Sequence, residues 1–231
     1  MRNPLKRLPV LGPLSSKFYA RLTTSARRKP SFSGTPQYWE QRYASGGNSG
    51  RGSYGQLAAF KADFLNDFVE REHVKSVIEF GCGDGNQLSL ACYPQYSGFD
   101  VSETAVRMCR ERFGEDPSKE FHLVSGYDGR TADLALSLDV IYHLVEDDGF
   151  DSYMHLLFDA TTRYVVIYSS DSSDNAGYEG SWIRQHRFTE WIAENAVDWV
   201  LRARVPNPYP LDPLVEEGSW SDFFVYEREA S

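Results

Sequence analysis

The sequence predicts an α/β fold: a seven-stranded, mostly parallel sheet with helices on both faces and an antiparallel last strand. Three observations carry this. Strand-length apolar runs alternate with helix-period segments through most of the 231 residues, and that alternation gives a parallel sheet whose crossover helices cover both faces. The first run, Val77-Ile78-Glu79-Phe80, passes straight into a glycine-rich turn, Gly81-Cys82-Gly83-Asp84-Gly85. The last run, 219–226, follows a loop holding Pro206, Pro208, Pro210 and Pro213 with no helix between, so it pairs antiparallel.

Residues 1–35 read as a basic N-terminal extension ahead of one domain over 36–231. Residues 1–39 hold eight Lys or Arg and no Asp or Glu, which leaves 16 basic against 33 acidic residues in the remainder, a balance of −17. A body this acidic is a poor match for phosphate backbones, so no nucleic-acid partner is expected. Residues 1–30 admit three readings. One is a transit peptide. Another is a membrane-surface anchor using Leu5, Leu8, Val10, Leu11, Leu14, Phe18 and Leu22 beside the cations, giving weak contact with an anionic membrane. The third is a plain extension packed over the fold. Pro4, Pro9 and Pro13 exclude a continuous helix there and leave 15–28 as the helical stretch.

Thr35-Pro36 opens a short helix over 37–44, closed by Gly46-Gly47. The glycine- and serine-rich stretch 46–55 reads as a mobile flap. Over 56–69, Leu57, Phe60, Phe64, Leu65 and Phe68 fall at helical spacing, so that helix packs on a sheet. Strands are expected near 75–80, 95–99, 119–124, 133–138, 163–168, 197–203 and 219–226. Helices are expected near 85–92, 102–113, 148–161 and 187–195. No apolar run is long enough to cross a membrane. Cys82, Cys92 and Cys109 are odd in number and lack metal spacing, which points to a reducing, cytoplasmic setting.

Glycines in the turn permit positive φ and close approach of a ligand to the backbone. Asp100 ends the second strand, twenty-one residues past Glu79, where βαβ nucleotide sites place the carboxylate for ribose hydroxyls. Together these describe a pocket for an adenosine-bearing cofactor. The dinucleotide pattern needs a sixth-position glycine, and Asn86 stands there. Glu79 and Asp84 make the turn acidic, which disfavours a pyrophosphate and a nicotinamide dinucleotide and suits a cationic ligand.

The pattern Glu79-x-Gly81-x-Gly83-x-Gly85, with Asp100 behind it, resembles the first motifs of class I S-adenosylmethionine (SAM) dependent methyltransferases, whose fold is Rossmann-like. The resemblance implies SAM as cofactor. It sets Gly81, Gly83 and Gly85, with Asn86 beside them, against the methionine part and ribose. Glu79 and Asp84 would orient the turn or the cofactor amine, Asp100 would take the ribose hydroxyls, and Val101 would pack on adenine. Tyr127, or Asp128 beside it, falls where the family makes a further adenine contact. Tyr38 and Arg42, in Tyr38-Trp39-Glu40-x-Arg42-Tyr43, fall where an aromatic and an arginine close over the cofactor carboxylate. Leu138, in Ser137-Leu138-Asp139-Val140, ends the strand that passes under the transferring methyl.

His143 is the candidate general base, because imidazole titrates near working pH; Asp139, Tyr142 and Glu146 are the alternatives. The N-P-P-Y-type tetrapeptide of base-methylating enzymes is absent. The segments YWEQRY, GGNSGRGSYG, SLDVIYHL and HRFTEW resemble bacterial sugar O-methyltransferases of the mycobacterial methylmannose type. That implies a small-molecule or oligosaccharide acceptor methylated on a hydroxyl. The polar loop carrying Asp171, Asp174, Tyr178 and Trp182 suits acceptor recognition. Asp171 and Asp174, with Asp139, have the oxygen ligands that Mg²⁺ prefers. A small-molecule or protein N-methyltransferase, and a non-catalytic SAM-binding protein, remain as alternatives.

Overall fold

A computed structural model describes residues 34–212 and 218–229. The expected helix at 15–28 and the membrane contact of residues 1–30 lie outside the described residues.

The helices are α1 (Thr35–Ala44), α2 (Gly55–Arg71), α3 (Glu103–Phe113), α4 (Asp147–Asp159) and α5 (Phe188–Asn195). The strands are β1 (Val77–Phe80), β2 (Tyr96–Asp100), β3 (Lys119–Leu123), β4 (Ala132–Leu138), β5 (Thr161–Ser169), β6 (Trp199–Val205) and β7 (Asp222–Arg228). They form a seven-stranded sheet in the order β3-β2-β1-β4-β5-β7-β6. The first five strands pair parallel. The return through β7 is antiparallel to both β5 and β6, as the helix-free proline loop implied.

Side-chain alternation builds two cores. Leu134, Leu136, Tyr164, Val166 and Tyr168 share one face with Leu65, Phe68 and Val69 of α2. Ile78, Phe80, Ala135, Val165 and Ile167 share the other with Met154 and Leu157 of α4 and Phe188 and Ile192 of α5. Central strands covered on both faces must be apolar at every position, which is why β5 reads as an almost unbroken apolar run. The edge strand β6 is mostly exposed and carries Arg202 and Arg204, charges that blunt an open edge. Strand β1 lies between β2 and β4, so the winding direction reverses there. A crevice opens at the carboxyl ends of such strands.

Two expectations fail locally. The helix predicted over 85–92 is only a 3₁₀ turn at Leu88–Leu90. Gly85 sits at φ 74° and Ala91 is already extended. Asn66 of α2 holds the exit, accepting from Cys92 N at 2.8 Å and donating to Leu90 O at 3.0 Å. The second is the flap at 46–55, which is tied down on the glycine turn. Asp84 Oδ2 accepts from Ser49 N at 2.9 Å and from Tyr54 Oη at 2.8 Å. Asn86 Nδ2 donates to Ser53 O at 2.7 Å.

Candidate functional site

The glycine turn is shaped by what crosses it. At Gly81, φ is 94°, and a Cβ would run into Val140 Cγ2. At Gly83, φ is 58°, and a Cβ would collide with Ser49 Oγ. Gly85 backs onto Cys109 and Phe113 of α3. Gly81 alone of the three borders the crevice; Gly83 is covered by Ser49 and Tyr43, and Asp84 and Asn86 are spent holding the 49–54 segment.

Asp100 is buried, and its carboxylate accepts from Gly83 N and Ser102 N, each at 2.9 Å. Burial pushes its pKa up to about 6 against the pull of those N–H groups. Glu79 points to the α2 side, where it accepts from Tyr96 Oη at 2.6 Å. Burial raises it to about 7, opposed by that hydrogen bond and by Lys61. Helix α1 closes over the crevice and is latched at its start and at its middle. Glu40 accepts from Ser102 Oγ at 2.6 Å and from Thr104 N and Oγ1 at the start of α3. Thr35 Oγ1 reaches His143 O at 2.7 Å, and Thr35 N donates to Glu146 at 3.2 Å. Glu146 therefore holds α1.

Two adjoining cavities lie beneath α1. A narrow slot of about 100 Å³ is bordered by Gly81, Asp100, Val101, Val124, Tyr43 and Tyr153, among others. A wide cavity of about 610 Å³ is walled by Trp182, Trp220, Tyr178, Arg42 and Arg51, among others. Trp39, Asp139 and His143 border both. Of the sequence candidates, Gly81, Asp100, Val101, Asp139 and His143 come together at the slot. Arg42 faces the wide cavity, its Nε donating to Asn48 O at 2.6 Å. Tyr38 stacks on Trp182 with centroids 5.3 Å apart. Leu138 is buried in the core on the α2 side. Tyr127 packs on Phe80 and Phe99, and its hydroxyl donates to Arg130 O at 2.6 Å. Val124, one residue past β3, borders the slot there.

His143 is buried at the junction, stacked on Trp182 at 4.8 Å and edge-on to Trp39 at 5.0 Å. Its Nδ1 lies 3.2 Å from Trp182 O. A carbonyl oxygen only accepts, so Nδ1 carries the proton and Nε2 keeps its lone pair. Burial lowers the imidazole to about 4, away from the near-neutral titration the sequence suggested; the ring is neutral at working pH but a weaker base than a free imidazole. Asp139 is differently placed. Its carboxylate accepts from Lys61 Nζ at 2.6 Å, Tyr142 Oη at 2.9 Å and Ser221 Oγ at 3.2 Å. Its lone pairs are thus shared among three donors from different parts of the chain.

Lys61 and Ser221 escaped the sequence reading. Lys61 had a signal: it sits four residues after Leu57 and four before Leu65, inside the apolar stripe of α2, where a cation requires a buried partner. Ser221 had none, because only the antiparallel return of β7 brings it to β4. Asp171 and Asp174 do not converge with Asp139: Asp171 takes Thr189 N and Oγ1 at the start of α5, and Asp174 takes Ala176 N. Among the described residues, no group of three His, Cys, Asp or Glu is placed to hold a metal ion, so the geometry gives Mg²⁺ no support.

Comparison with known proteins follows the same lines. A family profile described as a methyltransferase domain matches residues 54–213. No curated protein matches the chain. Among solved structures, the N-methyltransferase NodS from Bradyrhizobium japonicum WM9, in complex with S-adenosylhomocysteine, has a TM-score of 0.65 at 14% identity, covering 85% of this chain and 99% of NodS. Magnesium protoporphyrin IX methyltransferase (ChlM) from Synechocystis PCC 6803, with SAM bound, has a TM-score of 0.60 at 14% identity, covering 84% of this chain and 97% of its own. The methyltransferase domain of bacterial CtHen1 has a TM-score of 0.57 at 20% identity, covering 74% of this chain and 97% of its own. At these identities the likeness is one of fold.

Proposed function

The chain belongs to the methyltransferase domain family, and from that premise we propose that it transfers a methyl group from SAM to a hydroxyl of a small or glycan-like acceptor, a sugar being favoured. The observation that carries the proposal is His143, neutral and with Nε2 unprotonated, bordering both the narrow slot and the wide cavity.

The residues present fit SAM. Asp100 has lone pairs left for a ribose diol, and Val101 and Val124 offer apolar surface for an adenine. Trp39 and Tyr43 supply aromatic faces, which attract a sulfonium cation. The slot is smaller than the about 300–1,000 Å³ usual for small-molecule sites, so a ligand of this size extends past Trp39, Asp139 and His143 towards the wide cavity. When bound, SAM supplies an electrophilic methyl and a neutral thioether as leaving group.

The chain's own part is alignment, exclusion of water and removal of one proton. Helix α1 covers the crevice and keeps solvent out. Nε2 of His143 takes the proton of the acceptor hydroxyl as its oxygen attacks. The aromatic wall of Trp39, Trp182, Trp220 and Tyr178 suits the C–H face of a sugar ring. Of the other candidates for the base, Asp139 and Tyr142 are bonded to each other and Glu146 is bonded to Thr35 of α1.

Calorimetry with SAM and S-adenosylhomocysteine tests the cofactor; no binding by folded, ligand-free protein sinks the proposal. His143→Ala should keep S-adenosylhomocysteine affinity and lose roughly 100-fold or more in kcat, within the usual range for a general base. Turnover that survives the substitution removes His143 from that role.

A further inference from the structure

We propose that Tyr142 is an acceptor-recognition residue and that the wide cavity selects a ring bearing two adjacent hydroxyls, one methylated and one held by Tyr142. The inference rests on the methyl-transfer reading and deepens it by naming the substrate class.

The argument is a chain of hydrogen-bond commitments. Lys61 is 1% exposed at its side chain and forms an ion pair with Asp139 at 2.6 Å. A carboxylate in such a pair only accepts, so the Tyr142 hydroxyl, 2.9 Å away, must donate to it. Its proton is thereby committed, and a phenol oxygen so committed has only lone-pair capacity left. Next to it, His143 has committed its own N–H to Trp182 O. The two rings are in contact, with centroids 4.4 Å apart, and both border the wide cavity. The Tyr142 oxygen and His143 Nε2 are therefore both acceptors on neighbouring rings that border one cavity, and a ligand that reaches both must bring two donors.

A diol does this with one hydroxyl on Nε2 and its neighbour on Tyr142 Oη. A single hydroxyl leaves one of the two acceptors without a ligand donor and forfeits about one hydrogen bond. The tryptophans around the cavity supply the stacking surface for the ring that carries the diol.

The test uses the full chain saturated with S-adenosylhomocysteine, with tryptophan fluorescence as readout. Two matched pairs separate the two sources of a ring diol: methyl α-mannopyranoside against its 2-deoxy counterpart, and catechol against phenol. In at least one pair, the diol should bind about five- to tenfold tighter than the mono-ol, the value of one well-made hydrogen bond. Tyr142→Phe should abolish that preference while leaving S-adenosylhomocysteine affinity unchanged. Equal binding within both pairs, no binding by either diol, a preference that survives Tyr142→Phe, or tighter binding of aniline than of catechol would each overturn the inference. Absence of S-adenosylhomocysteine binding instead fails the methyl-transfer reading itself.

Discussion

At Asp139 the backbone takes φ 60°, a conformation few side chains tolerate. Aspartate is among the exceptions, and here the strain is offset by what the carboxylate gathers: Lys61 from α2, Tyr142 from the turn after β4, and Ser221 from the entry to β7. Removing one member of a buried ion pair leaves the other uncompensated. Lys61→Met should therefore cost about 3–5 kcal/mol of stability, measured by urea denaturation. Adding Asp139→Asn should recover a large part of that loss. A single variant as stable as the parent would refute the pairing. The position of Asp100 against the glycine turn was legible in the sequence because it depends on spacing from Glu79 along the chain. Lys61 was not, because its role depends on a partner 78 positions away.

At the level of elements, α1 and the 49–54 segment fit the glycine turn through side chains, each acceptor matched to a donor. Gly83 lies where both press closest, with Ser49 Oγ and Tyr43 Oη against the position of a Cβ. Gly83→Ala should cost about 1–2 kcal/mol from the positive φ alone, and more from the displaced Ser49. It should also speed amide exchange over residues 46–55; exchange as slow as in the parent would refute the fit. The start of α1 at Thr35-Pro36 and the apolar stripe of α2 were readable from local sequence, but Thr35 does not cap the helix: Gly34 stands at the N-cap, and the Thr35 hydroxyl is spent on His143 O. The 85–92 segment was misread because Asn66 and the φ of Gly85 override its helical spacing.

Across the whole molecule, buried titratable groups tie stability to pH. Folded, Glu79 keeps its proton up to about pH 7, against about 4.3 in an unfolded chain. Its contribution is fully present below the unfolded value and is lost as pH rises through about 7. His143 works in the opposite sense: its folded value of about 4 lies below the unfolded value of about 6.5, so its contribution is present above the latter and lost as pH falls. Glu79→Gln retains an acceptor for Tyr96 and removes the buried charge. Its Tm should exceed that of the parent at pH 8, by on the order of 5 °C, with the gap closing by pH 4. A gap that does not change with pH would refute the raised carboxylate.

The sequence by itself determined the layer order, the antiparallel last strand and the acidic, glycine-rich turn facing Asp100. All of these follow from periodicity, turn chemistry and spacing along the chain. Tertiary structure alone decided which side chains meet at the junction. It turned Tyr127 onto Phe80 and Phe99 and set Val124 at the slot, spent Glu146 on α1, and faced Arg42 to the wide cavity. It also joined Lys61, Asp139, Tyr142 and Ser221 into one network. The physical reason is that a hydrogen bond or ion pair depends on distance in space, and sheet topology brings together residues that chain spacing keeps far apart.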